Sequence, residues 1–205
     1  GGGGGGGGGF MFCFSAINVV DVLGKGQILM KDLVIGDKVA VDLDEYSTVY
    51  GFGHRDLLLE CEYLRIYTQG FEEEPLEISK DHMIFVPAGS PREDSSQAKT
   101  KKSVPASTVE VGDLLWTGSG SVARVTKIDI VVRQGAFAPF TSSGSLLVNG
   151  VLASSYVSLQ PNSSVLKVGG LETSFSMQWL AHAFQAPHRL VCDFLSFHYC
   201  QRETY

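Results

Sequence analysis

A short pattern written twice constrains this chain more than any other feature. Leu33-Val34-Ile35-Gly36-Asp37-Lys38-Val39 recurs as Val109-Glu110-Val111-Gly112-Asp113-Leu114-Leu115, and Val49 and Val125 keep the same offset. In each copy, apolar residues stand one and three places before a Gly-Asp turn and a new strand follows. A duplicated β subdomain leaves this trace.

The texture around the repeats agrees. Val19, Val20, Val22 and Leu23 run into Gly24-Lys25-Gly26, and Gln27 to Met30 runs out, which predicts a hairpin. Further strands are expected over 40–43, 48–52, 61–67, 76–78, 83–86, 114–117, 123–132 and 145–148. Helical periodicity is weak throughout this region, so the class is all-β. Residues 88–102, rich in Ser, Pro and charge, read as a surface loop that includes the basic run Lys99 to Lys102.

With 205 residues, 44% of them hydrophobic, the chain can bury one sizeable core with appendages. Nine consecutive glycines open the sequence and read as a linker, so residues 1–12 are expected to be linker and the end of an upstream segment. The folded unit is expected over 13–160. Residues 161–205 are expected to form a helix or helix pair around Pro187, with Trp179, Leu180, Phe184, Leu190, Phe194 and Phe197 among its apolar residues. Two readings of that segment are open: it covers the core, or it meets a lipid or membrane surface.

A formal net charge of -6 argues against a nucleic-acid partner. The four cysteines, Cys13, Cys61, Cys192 and Cys200, show no CxxC spacing, so neither a metal nor another cofactor is implied. No stretch is long and apolar enough for a membrane-spanning helix, and a targeting signal would lie upstream of Gly1.

Cys13 stands where the leader meets the first strand. A thiol there can attack the carbonyl of Phe12 through a small ring, because covalent attachment supplies proximity. The amide-to-thioester exchange is uphill, so an acid is needed at the departing nitrogen. Ser79-Lys80-Asp81-His82 offers a hydroxyl and an imidazole three residues apart at a strand edge. His54, between Gly53 and Arg55, is a candidate base for resolving the thioester, or an ordinary turn histidine. Cys13 read in isolation is more often a small buried apolar residue than a nucleophile; its position at the boundary favours the nucleophile.

These residues carry a resemblance. Cys13-Phe14-Ser15-Ala16, Asp32-Leu33-Val34-Ile35-Gly36-Asp37, Ser79-x-x-His82, Ala138-Pro139-Phe140-Thr141 and the run from Gly144 to Tyr156 resemble, in the same order, the motifs of the Hint autoprocessing domain of hedgehog-type proteins, including nematode and protist forms. The resemblance implies a pseudo-twofold all-β Hint fold with an appended C-terminal helical segment. It implies a single-turnover, autocatalytic cleavage at Phe12-Cys13. Cys13 would form the thioester, Ser79 and His82 would promote the acyl shift, and His54 would stand where animal hedgehogs carry an aspartate. Thr141 and Ser155 would be supporting residues, Ser155 replacing a second cysteine with which Cys13 would otherwise pair. The implied partners are the upstream polypeptide in cis and an acceptor, either a sterol or other lipid alcohol or water. The segment Trp179 to Leu190 resembles a stretch associated with sterol recognition. The absence of a His-Asn pair before a nucleophile implies cleavage without splicing, and the family likeness implies a secretory or extracellular setting. A degenerate Hint fold serving as a binding module, and a cysteine hydrolase acting in trans, are the rival readings.

Overall fold

A computed structural model describes residues 13–88, 100–157, 165–168 and 171–187. In chain order the elements are β1 (Phe14–Ser15), β2 (Val19–Val22), β3 (Gly26–Leu29), β4 (Lys38–Ala40), β5 (Tyr46–Thr68), β6 (Leu76–Ile78), β7 (His82–Pro87), β8 (Lys101–Pro105), β9 (Leu114–Trp116), β10 (Val122–Thr141), β11 (Ser145–Val148), β12 (Val151–Val157), β13 (Val165–Val168), β14 (Leu171–Ser176) and the helix α1 (Met177–Phe184). Among the described residues the fold is all-β, with one short α-helix following β14.

The repeat in the sequence is a repeat in hydrogen bonding. The Gly36 N–H donates to Val49 O and the Val49 N–H to Asp37 O, both at 2.8 Å; Gly112, Val125 and Asp113 make the same two bonds at the same length. The Asp37 carboxylate accepts from the Val34 N–H at 3.2 Å, and that of Asp113 from the Glu110 N–H at 2.8 Å. Both turns need a left-handed residue, and glycine takes it, with φ of 95° at Gly36 and 97° at Gly112. Of the two apolar positions before each turn, only the outer one, Leu33 or Val109, enters the core; Val111 is exposed.

Two long strands join the halves. β5 runs for 23 residues and β10 for 20, and they pair antiparallel from Val125↔Thr68 to Thr141↔Val49, with irregularities at four places. The segments expected as separate strands over 48–52 and 61–67 are therefore one continuous strand. The eight-stranded sheet has the order β3-β2-β4-β5-β6-β1-β10-β9, and a four-stranded sheet has the order β11-β12-β7-β8. Between them lies a core that includes Phe14, Val20, Met30, Leu33, Ile66, Ile78, Ile84, Leu115, Phe137 and Leu146.

Three local expectations change. The strand expected over 40–43 lies earlier, at β4, because the Val41 and Asp42 N–H groups turn back onto Glu45 O. The loop expected over 88–102 contributes its last residues to β8, which pairs with β7 from Pro87↔Lys101 onward; 89–99 lie outside the described residues. In the extension, a β13–β14 hairpin precedes α1, whose N-cap Ser176 side chain accepts from the Trp179 N–H. The positions from His188 onward, including Leu190, Phe194 and Phe197, lie outside the described residues, as do Gly1 to Phe12.

Candidate functional site

The nucleophile candidate stands immediately before β1, the shortest of the described strands. β1 lies between β6, through Phe14↔Ile78, and β10, through Phe14↔Phe137 and Ser15↔Ala136. Cys13 precedes it and is buried, at 2% exposure. Its amide N–H donates to Ser79 Oγ at 2.9 Å, and its carbonyl accepts from the Ser79 N–H at 3.0 Å. These reciprocal bonds hold residue Cys13 through the peptide units on both of its sides.

The spacing of Ser79 and His82 has a structural reason. The His82 N–H donates to Ser79 O at 3.1 Å, closing a turn that delivers His82 as the first residue of β7. The imidazole lies against the Phe14 ring, with centroids 4.3 Å apart. His82 Nε2 is 2.8 Å from Ser154 O. A carbonyl can only accept, so Nε2 carries a proton and the neutral ring presents Nδ1 as a bare acceptor. Nδ1 is buried and has no hydrogen-bond partner among the described residues. Burial pushes the His82 pKa down to about 4, a shift only partly opposed by the Ser154 carbonyl. The ring is therefore neutral at pH 7, with the Nδ1 lone pair buried.

His54 reaches this part of the sheet by register. It pairs with Ala138 on β10, one place beyond Phe137, which pairs with Phe14. It is half-buried, and its Nε2 has no partner among the described residues. The adjoining Gly53 is required because a Cβ there would stand 2.7 Å from the Phe140 ring. Thr141 and Ser155 are both buried and bind one another: the Thr141 N–H donates to Ser155 Oγ at 3.2 Å, and the two hydroxyls lie 3.0 Å apart. Thr141 Oγ1 spends its proton on Ser145 O at 2.8 Å, so Ser155 donates to Thr141. This pair knits β10 to β11 and β12.

The geometry thus unites Cys13, Ser79 and His82, with His54 on β5 across the intervening β10, and places Thr141 and Ser155 in a separate network. Phe12 lies outside the described residues. Two participants escaped the sequence reading. Ser154 acts through its backbone carbonyl, which leaves no side-chain signal. Tyr63 is fully buried, donates to Gly135 O at 2.6 Å and lies 3.4 Å from Phe14 O. Its alternating position in β5 reads as core, and only the strand pairing reveals its polar end.

A family model described as the Hint module matches residues 8–197. The chain belongs to the Hint family. Among curated proteins, Hint relatives include Warthog protein 6 of Caenorhabditis elegans, 33% identical over 73% of this chain and 25% of that protein. Sonic hedgehog protein of Xenopus laevis is 27% identical over 72% of this chain and 34% of that protein. The chain thus spans between a quarter and about a third of the length of these two relatives. The fold is shared with the gp41-1 intein, at a TM-score of 0.53 and 14% identity over 70% of this chain and 98% of that one. An intein-like domain from Clostridium thermocellum aligns with a TM-score of 0.52 and 20% identity over 70% of this chain and 99% of that one. This Hint domain is related to hedgehog autoprocessing domains and to inteins, and its pseudo-twofold architecture is theirs.

Proposed function

We propose that this Hint domain severs its own chain at Phe12-Cys13, forming a thioester on Cys13 that a second nucleophile resolves without splicing. The observation that carries the reading is the Cys13 amide, held at 2.9 Å by Ser79 Oγ, in the turn that also delivers a buried neutral histidine whose Nδ1 has no partner among the described residues. The shift needs one proton taken from the thiol and one delivered to the departing amide nitrogen. Neutral His82 can do both in sequence: Nδ1 accepts the thiol proton, and the resulting imidazolium, disfavoured by burial, is a strong acid toward the amide nitrogen. Ser79 Oγ keeps that nitrogen in line and remains its hydrogen-bond partner as its geometry turns from planar to tetrahedral.

His54 is assigned to resolution, deprotonating an alcohol or water that attacks the thioester carbonyl. Support comes from its Nε2, buried without a partner among the described residues on β5, across β10 from the strand that follows Cys13, where an incoming hydroxyl would satisfy it. The acceptor class we favour is a lipid alcohol, on family likeness and on the short helix α1, whose Trp179 and Phe184 side chains are exposed. The polypeptide upstream in cis is the acyl donor, residues 13–160 form the processing unit and 161–205 the acceptor-recognising extension, and the secretory route is the compartment the relatives suggest.

The test is intact mass spectrometry of a fusion with a soluble tag before Gly1, with and without dithiothreitol. Thiol-accelerated release of a fragment ending at Phe12, abolished by Cys13→Ala, is the expected result. An uncut, folded precursor would instead make this a binding module. Failure of His54→Ala to slow resolution by alcohol or water, with thiol cleavage intact, would remove His54 from its role.

A further inference from the structure

β1 is two residues long and β6 three, yet between them they set the contact of Cys13 with Ser79. Their register, Phe14↔Ile78, puts Cys13 opposite Ser79 and Ser15 opposite Glu77. At the second of these positions the strand ends. Ser15 O accepts from the Asn18 N–H at 3.2 Å, closing a turn that carries the chain away from β6. The side chain of Asn18 takes over the pairing. Its Oδ1 accepts from the Glu77 N–H at 3.0 Å and its Nδ2 donates to Glu77 O at 2.7 Å, the two bonds that a facing peptide unit would make. Asn18 is buried, at 1% exposure, and its own carbonyl accepts from the Met30 N–H at 2.7 Å, so the carboxamide is delivered from a fixed turn.

We propose that Asn18 is a positioning residue for the acyl shift: its carboxamide fixes where β6 stands along β1, and thereby holds Ser79 Oγ on the Cys13 amide. The role rests on the acyl-shift reading above. Glu77 and Ser79 are two residues apart in one extended run and direct their backbone groups at the same neighbour, so bonds made at Glu77 set the reach of Ser79. Asn alone supplies both groups at this reach. An ionised Asp has no proton to give Glu77 O, Ala and Ser lack the second atom, and Gln is one methylene too long. Asn18 acts through β6, and its influence falls on the shift rather than on the later attack by the second nucleophile.

The test uses the full chain with its upstream tag and dithiothreitol as the resolving thiol. At saturating thiol the rate of release is that of the shift, while the half-saturating concentration reports the competition between reversal and attack. Asn18→Ala should lower the saturating rate by about tenfold without raising the half-saturating concentration. Asn18→Asp adds a signature that lost stability alone does not give. Ionised, its carboxylate opposes Glu77 O; protonated, its O–H can donate there while its carbonyl accepts from the Glu77 N–H, restoring both bonds. The charged residues around the same cavity, Arg65, Glu72, Glu73, Glu74 and Glu77, are unchanged in every variant. With near-ultraviolet circular dichroism establishing a folded chain at each pH, the rate of Asn18→Asp relative to wild type should climb toward one between about pH 7.5 and about pH 5, and that of Asn18→Ala should stay flat. A folded Asn18→Ala that releases the tag at the wild-type saturating rate overturns this proposal alone, as does a relative rate of Asn18→Asp that does not move with pH. If Asn18→Ala does not fold, Asn18→Asp at the acid end decides: release near the wild-type rate supports the role, and slow release from a folded chain overturns it. Wild-type chain that never cleaves with dithiothreitol overturns the acyl-shift reading and the positioning role with it.

Discussion

At the scale of single residues, the site depends on hydrogen-bond accounting among buried groups. Ser79→Ala leaves the Cys13 N–H buried without its acceptor, a loss of about 1–3 kcal/mol, whereas Ser79→Thr keeps a hydroxyl. Denaturant unfolding should show that cost for Ala and little for Thr, and thiol-induced cleavage of the tagged precursor should slow in the same order. His82 makes stability depend on pH. Its pKa falls from 6.5 in the unfolded chain to about 4 when folded, so between these values the unfolded chain binds a proton that the native one refuses. Stability from this group is constant above pH 6.5 and falls as pH drops toward 4, by roughly 3 kcal/mol in all. Melting temperatures across pH 4 to 7 should show this slope in a Cys13→Ala background and lose it in the further variant His82→Gln.

Elements impose a second kind of constraint, carried by backbone. Gly135 has a φ of 98°, and an added Cβ would meet Ala16 Cβ at 2.5 Å. It also sits at the irregularity between Gln134 and Ala136 and offers its carbonyl to Tyr63. Gly24, at a φ of 79°, has nothing within 4 Å of the same position. Gly24→Ala therefore carries backbone strain alone, about 1 kcal/mol, while Gly135→Ala adds a collision and should cost about 3 kcal/mol or more. Equal losses for the two in denaturant melts would show that the packing against Ala16 relaxes. These elements also mark how far sequence reading goes. The β2–β3 hairpin, β6, β9 and β11 were legible, because each is a short, largely apolar run set off by turn residues: Gly24 and Gly26 in the hairpin, Pro75 and Ser79 around β6, Gly112 and Gly118 around β9, Gly144 and Gly150 around β11. The length of β5 was not: polar residues such as His54, Arg55 and Asp56 interrupt its apolar pattern, and only pairing with β10 keeps it extended. β8 was missed for a similar reason, since Lys101 and Lys102 lie exposed and read as loop. The Ser79-x-x-His82 turn was legible because its spacing is the geometry; the roles of Ser154 and Tyr63 were not, since each depends on a strand distant in sequence.

For the molecule as a whole, duplication sets equal demands on distant residues. Asp37 and Asp113 accept from equivalent amides, so Asp37→Ala and Asp113→Ala should each destabilise the same cooperative unit by about 1–3 kcal/mol. Asp37 also pairs with Lys25, and that part of its contribution should fade at high salt. Urea melts of the two variants at low and high ionic strength would measure both effects. Finally, the clamp on Cys13 has a directional consequence under the proposed chemistry. The amide nitrogen that donates to Ser79 is buried and neutral, but after scission it becomes an α-amine with a pKa near 7.7–8.0, mostly cationic at neutral pH. That new charge is poorly tolerated where the peptide unit sat, and the freed end must swing toward water. The product no longer fits the cradle that held the substrate, so the cut behaves as a ratchet: resealing would require the chain to bury a charge it has just acquired.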